Sequence, residues 1–173
     1  SEDLNHLLSH LKIGKFNLWS MAWGTRAALA YSFLNSDKIL SAVFSDASIA
    51  SADVEAQRKG LKKAMARQEL MGIQKFELPK GWNEHINNKD AGLSLTAAAK
   101  FNLDKAVSSI SYPFLVMTGD HDPNLTSSKD IVSRSASGNL KILDDVGHGS
   151  VLQRPDLVLE NFLSWHNLQI EES

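Results

Sequence analysis

The stretch KFNLWSMAWGTRAALAY, residues 15 to 31, passes from an apolar run through a few small residues into an amphipathic one. Lys15 to Trp19 predicts a short strand, and Thr25 to Leu34 a helix with Ala27, Leu29, Ala30 and Phe33 available for packing. The turn between them has the form small-x-apex-x-small, in Ser20, Met21, Ala22, Trp23 and Gly24. A sharp strand-to-helix turn that displays its central side chain holds that residue in a strained conformation. The residues two before and two after it must then be small. Ser20 and Gly24 meet that demand around Ala22. With Ser20 at the apex, bulky Leu18 would fill one of those positions and the apex would fall back into the strand, so Ser20 is rejected as a nucleophile. The turn is shaped to present a reactive atom, and the residue at its apex carries none.

Outward from this turn the chain alternates short apolar runs with helical patterns. Ser1 is placed to cap a first helix with Glu2 and Asp3 in its opening turn and Leu4, Leu7, Leu8 and Leu11 at helical spacing, stopped by Gly14. Ile39 to Phe44 predicts a second strand, closed by the polar cluster SDASIAS. Tyr112 and Pro113 introduce FLVMT, a third strand ending in the turn GDHDPNL, with a helix over about Ser127 to Ser135. NLKIL predicts a fourth strand, followed by VGHGS and a final helix starting near Pro155, with Leu157, Val158, Phe162 and Leu163 on a core face. Short strands alternating with helices predict a parallel sheet in an α/β fold. Between 51 and 111 the character changes to a charged helix (Asp53 to Met71), an irregular FELPKGWNEHINNKDAG and a further helical stretch (Leu93 to Ile110). This segment reads as an insertion.

Composition narrows the function. The chain has 173 residues, a formal charge of -2 and no cysteine. That charge gives no electrostatic footprint for nucleic acid or an anionic membrane. The lack of cysteine removes thiol catalysis, disulfides and cysteine metal sites, and fits a cytoplasmic location. No apolar run approaches the roughly 20 residues that span a bilayer, and SEDLNHLLSHL is too polar for a signal peptide. His6 and His10 share a helix face with no glutamate to complete an H-E-x-x-H zinc motif, so no metal site is expected. His121 is expected in an exposed turn, His166 on the terminal surface, and the run RKGLKK at 58 to 63 on a solvated helix face.

The turn at Ala22 resembles the nucleophile elbow of the α/β-hydrolase family, a strand leading into Gly-x-Ser-x-Gly and a helix, with Ala22 where that family keeps serine. YPFLVMTGDHDPNL is similar to the family's penultimate strand and acid turn, with Gly119-x-x-Asp122. NLKILDDVGHGSVLQRPDLV is similar to its last strand and histidine loop, with Gly147-His148 and then Arg154-Pro155. The order nucleophile, acid, histidine also agrees. The resemblance implies a partial α/β-hydrolase fold: residues 1–50 and 112–173 would form the C-terminal half of the core, and 51–111 a small helical cap. It implies that His148 is the general base and that Asp122 orients it. Asp120 is the rival acid, but it directly follows the glycine, whereas the family's acid comes two residues later. The Trp23 backbone N–H would supply one oxyanion donor, and Met21, Trp82 and His85 would belong to the substrate pocket.

The implied activity is hydrolysis of a carboxylic ester or lactone by a serine nucleophile, with no cofactor. A serine hydroxyl attacks only when a histidine takes its proton and a carboxylate orients the ring. Ala22 departs from that pattern. An engineered Ser-to-Ala change accounts for an otherwise complete set of residues, and a natural, non-catalytic ligand-binding or regulatory relative is the alternative. The family's sheet has eight strands and this chain resembles only the last four, so a second polypeptide supplying the N-terminal half is expected as a partner.

Overall fold

The computed structural model describes residues 2–78, 80–81, 84, 93 and 100–171. In chain order these form α1 (Glu2–His10), β1 (Phe16–Met21), α2 (Gly24–Leu34), a single 3-10 turn (Ser36–Lys38), β2 (Ile39–Ser45), α3 (Val54–Leu70), α4 (Leu103–Ser108), β3 (Phe114–Gly119), α5 (Leu125–Ser133), β4 (Gly138–Leu143), α6 (Ser150–Gln153) and α7 (Pro155–Glu171). The four strands make one sheet in the order β1-β2-β3-β4, every pair parallel. All six residues of β3 are buried, as expected for a strand covered on both faces, whereas β1 alternates half-buried with exposed residues over its first four.

Two apolar clusters flank the sheet. On one face Phe44, Phe114 and Val116 pack with Leu29 of α2, Val107 of α4 and Ile131 of α5. On the other, Val43, Leu115 and Met117 pack with Val158 and Trp165 of α7. Burying a side chain of this size contributes about 1.5–3 kcal/mol, so these two clusters fix the sheet between its helices. The alternation of adjacent residues such as Val43 and Phe44 between clusters is the two-residue period of a strand read directly in the packing.

Some sequence expectations shift by a fraction of a helical turn. In α2 the buried residues are Thr25, Ala28, Leu29, Tyr31 and Ser32, while Ala27 is exposed. Small Thr25 and Ser32 extend the inward stripe at i, i+3, i+4 and i+7, which apolarity alone does not reveal. In α7 Leu163 is exposed and Trp165 takes the core position. Leu7 and Leu11 of the first helical pattern are also exposed, leaving Leu8 as its buried anchor. The last part of the expected cap segment contains α4, whose Leu103, Ala106 and Val107 enter the same cluster as α2. Residues 103–108 thus pack with the helical layer of the sheet.

Helix α3 lies across the loops at the carboxyl ends of β3 and β4. Arg58, Lys59, Lys62 and Lys63 are exposed, as expected for RKGLKK, but Gly60 within that run faces inward. A Cβ on Gly60 would lie 1.9 Å from the carbonyl oxygen of His121, and one on Gly147 would lie 2.6 Å from the Leu61 Cα. Here helix backbone meets loop backbone. Gln68 Nε2 donates to the Asp145 carbonyl at 2.7 Å, and Arg67 pairs with the Asp145 carboxylate. Alanine at position 60 would gain about 1 kcal/mol of helix propensity, but overpacking against unyielding atoms costs about 1–3 kcal/mol. Gly60→Ala is therefore expected to destabilise the fold by a net 1 kcal/mol or so in urea unfolding; an unchanged or raised midpoint would contradict the close approach.

Candidate active site

The carboxyl ends of parallel strands are where an open α/β sheet gathers its functional groups, and three loops meet there. Ala22, the first residue after β1, has φ 50°, one of four non-glycine residues with positive φ among those described. Its N–H donates to the Ser45 carbonyl at 2.7 Å, and its own carbonyl accepts from Thr25 N at 3.1 Å, at the opening turn of α2. A left-handed alanine costs about 1–2 kcal/mol, so the strained turn described by the small-residue rule is present. Ser20 sits within β1, its hydroxyl bonded to Thr25 Oγ1 at 3.3 Å.

The second loop follows β3. Gly119 ends the strand where a Cβ would lie 2.0 Å from the Val146 carbonyl oxygen, and His121 N donates to that same oxygen at 3.0 Å. This contact brings the β3 and β4 loops together and explains the glycine of the Gly-x-x-Asp pattern. Asp122 is buried; its Oδ1 accepts from Asn124 N at 2.9 Å, and its Oδ2 lies 2.9 Å from His148 Nδ1. Asp120 instead accepts from Val146 N through Oδ1 at 3.2 Å. Asp122 is thus the carboxylate that meets the imidazole.

With Nδ1–H donated to Asp122, the free electron pair of His148 is on Nε2. Burial alone would lower the His148 pKa, but the Asp122 hydrogen bond, the Asp122 charge and the Asp46 charge outweigh it and leave the pKa raised. His148 and Ala22 line one cleft of about 210 Å³ together with Trp23, Arg26, Gln57 and Asn124. The Trp23 backbone sits at the start of α2, and among the described residues its N–H has no acceptor. A second cleft of similar size opens on the other flank of His148, lined by apolar Leu61, Met65, Phe76, Leu78 and Leu152.

Of the residues expected in the pocket, Met21 ends β1 opposite Ser45 and is not among those lining the Ala22 cleft. Trp82 and His85 lie outside the described residues. His121 is not the exposed turn residue expected: its side chain is 14% exposed, with Nε2 3.5 Å from Asp145 Oδ1. Asp120, His121 and Asp145 place donor atoms within 4.8 Å of one another, but Asp145 is held below the ordinary carboxylate range by its hydrogen bond from Arg67. Arg67 thus already engages the Asp145 carboxylate of this cluster. His166 stacks on Phe162 with ring centroids 5.3 Å apart. Sequence reasoning passed over Asp46, the residue after β2, whose carboxylate accepts from Ser150 N at 2.7 Å in the histidine loop. A carboxylate directly after an apolar parallel strand was the available signal.

Comparison with known proteins gives no matching family model and no matching curated protein. Solved structures do match. An esterase from Thermogutta terrifontis, determined with malate bound, superposes with TM-score 0.69 at 17% identity, over 96% of this chain and 70% of that one. A structure from a study of carboxylesterases of Nitrososphaera gargenis gives 0.67 at 14%, over 99% and 72%. The enol-lactonase of Burkholderia xenovorans LB400 gives 0.67 at 18%, over 95% and 70%.

The electrostatics of the pair lead to a direct check. A raised histidine pKa stabilises the fold fully below about 6.5, and that contribution is lost as pH climbs through the raised value. In Asp122→Asn the burial penalty stays while the largest raising influences go. His148 is expected to titrate below about 6.5 by NMR in that variant and above it in the parent; an unchanged titration would remove Asp122 as the imidazole's partner.

Proposed function

We propose that this chain, which has a partial α/β-hydrolase fold, is a serine-type hydrolase of carboxylic esters or lactones in which alanine occupies the nucleophile position. The observation that carries the reading is the Asp122–His148 hydrogen bond on the same cleft as the strained strand-to-helix turn at Ala22. With serine at 22, the hydroxyl would attack the acyl carbon while His148 Nε2 takes its proton. The Trp23 N–H would hold the developing oxyanion. The acyl-serine would then be released by water that gives its proton to the same nitrogen. Asp122 keeps the ring oriented and stabilises it when charged. Ester and lactone chemistry is also supported by the structural neighbours, which include an esterase and an enol-lactonase.

A methyl group cannot attack a carbonyl, so the chain as written binds and does not turn over. The undamaged acid–histidine pair supports a Ser-to-Ala change introduced by design, since drift after loss of activity would have no reason to spare it. The other reading is a non-catalytic binding protein that uses the same cleft, and Ala22 itself favours it. Residues 82 and 85 remain proposed for the pocket wall, and 51–111 for the cap apart from 103–108, which pack in the helical layer of the sheet. No described helix is long and apolar enough to cross a membrane, and we keep the cytoplasm as the proposed location.

The sheet supports a further partner. β1 pairs with β2 alone among the described residues, and its Trp19 is 41% exposed although its ring packs, tilted, against Phe162. An unpaired strand edge beside the reactive turn invites another strand. The N-terminal half of the fold, as a second polypeptide or as covalently preceding chain, is the proposed occupant and would bring the second oxyanion donor.

Ala22→Ser, assayed with short-chain p-nitrophenyl esters and lactones in the presence of whatever chain completes the sheet, is expected to raise turnover by about 10⁶-fold. A revertant that stays silent across acyl lengths while still binding these ligands would contradict the hydrolase reading and favour the binding protein.

A further inference from the structure

Asp46 stands to β2 as Ala22 stands to β1: the first residue past the strand, held at a left-handed φ of 53°. A non-glycine residue keeps such a conformation only where its surroundings over-determine it, and here every polar group but one is engaged. Its N–H donates to the Met117 carbonyl at 2.8 Å. Its carbonyl accepts from Asn124 Nδ2 at 2.9 Å, and the Asn124 N–H in turn binds Oδ1 of Asp122. Its Oδ2 accepts three donors from the histidine loop: Gly149 N at 3.2 Å, Ser150 N at 2.7 Å and Ser150 Oγ at 3.0 Å. Backbone holds the acid turn, and side chain holds the histidine loop.

We propose that Asp46 is a positioning residue for this site, a buried carboxyl that seats the loops of Asp122 and His148 against one another and so sets the geometry of their hydrogen bond. The proposal rests on the hydrolase reading for its catalytic meaning and on these contacts alone for its structural one.

The remaining oxygen, Oδ1, is buried without a partner. A bare carboxylate oxygen in that position is costly, and a proton on it relieves the cost. Burial first, and then the nearby charge of Asp122, push the Asp46 pKa up to about 7, against the Ser150 donors and His148, which favour the ionised form. The titratable groups acting on it are Asp122 from the acid turn and His148 from the histidine loop; Gly149, Ser150 and Asn124 face it as neutral donors. Burial thus favours the protonated form of Asp46 in the folded chain. Because this acid holds its proton more tightly folded than unfolded, its contribution to stability is complete below about pH 4 and is lost as pH rises through about 7.

Two substitutions separate the parts of this account. Asp46→Asn keeps an acceptor oxygen for the histidine loop and cannot ionise; Asp46→Ala removes the acceptor. In the chain with Ala22, NMR of His148 should show the low-field Nδ1–H retained in Asp46→Asn and lost in Asp46→Ala. Asp46→Asn should also flatten the decline in stability between about pH 4 and 7. In the Ala22→Ser background, Asp46→Ala should lower kcat by about 100-fold with KM little changed, with Asn recovering at least tenfold of that loss. Should Asp46→Ala fail to fold, Ser150→Ala, which deletes one of the three donors, should weaken the Nδ1–H signal partway. An intact low-field signal and full kcat in Asp46→Ala, or an unaltered signal in Ser150→Ala where the first variant is unfolded, would overturn the positioning role. An Ala22→Ser protein without esterase activity would sink the hydrolase reading, while the NMR comparison would still decide the role of Asp46.

Discussion

Asp122 has a side chain with no solvent exposure, and its carboxylate is made tolerable by two donors, His148 Nδ1–H and Asn124 N–H. A buried carboxylate with too few partners costs several kcal/mol, so the loops after β3 and β4 are obliged to stay in contact. That obligation fixes the ring's orientation and its tautomer, and it leaves Nε2 as the basic atom. Much of the loop structure at the carboxyl edge of the sheet can be understood as serving this one hydrogen bond.

The fold meets the obligation with backbone as much as with side chains. Ser45 carbonyl holds the turn of Ala22, and Met117 carbonyl holds Asp46, so each strand's loop is pinned to its neighbour strand. Above them α3 closes against His121 and Gly147 with no side chain between the backbones. Replacing a serine hydroxyl by hydrogen at position 22 would disturb none of these contacts, because the strain of the turn resides in its φ and its hydrogen bonds. The turn at position 22 is therefore sterically compatible with either side chain.

The element order and the strained turn at Ala22 were legible in the sequence because they follow from local rules: short apolar runs, helical spacing, and the steric demand for small residues around a strained apex; Asp122 and His148 were singled out only by resemblance to a family, since a turn carboxylate and a glycine-histidine pair carry little signal by themselves. What stayed hidden depends on contacts between distant segments. Asp46 finds its partners at 149 and 150, and Gly60 is needed only because the His121 carbonyl passes beside it. Likewise, Thr25 and Ser32 are buried in α2 by the layer they meet, which no hydropathy pattern records. Met21, expected at the pocket wall, ends its strand opposite Ser45.

Since the account turns on one missing oxygen atom, covalent trapping tests it most directly. A fluorophosphonate forms a stable ester only with a serine that an adjacent base has activated. The account predicts that, after treatment of the Ala22→Ser protein with its sheet completed, mass spectrometry locates one phosphonyl adduct on the peptide containing residue 22, and none on the Ala22 chain or on Ala22→Ser carrying His148→Ala. An adduct on another serine, or no adduct in the Ala22→Ser protein, would contradict it.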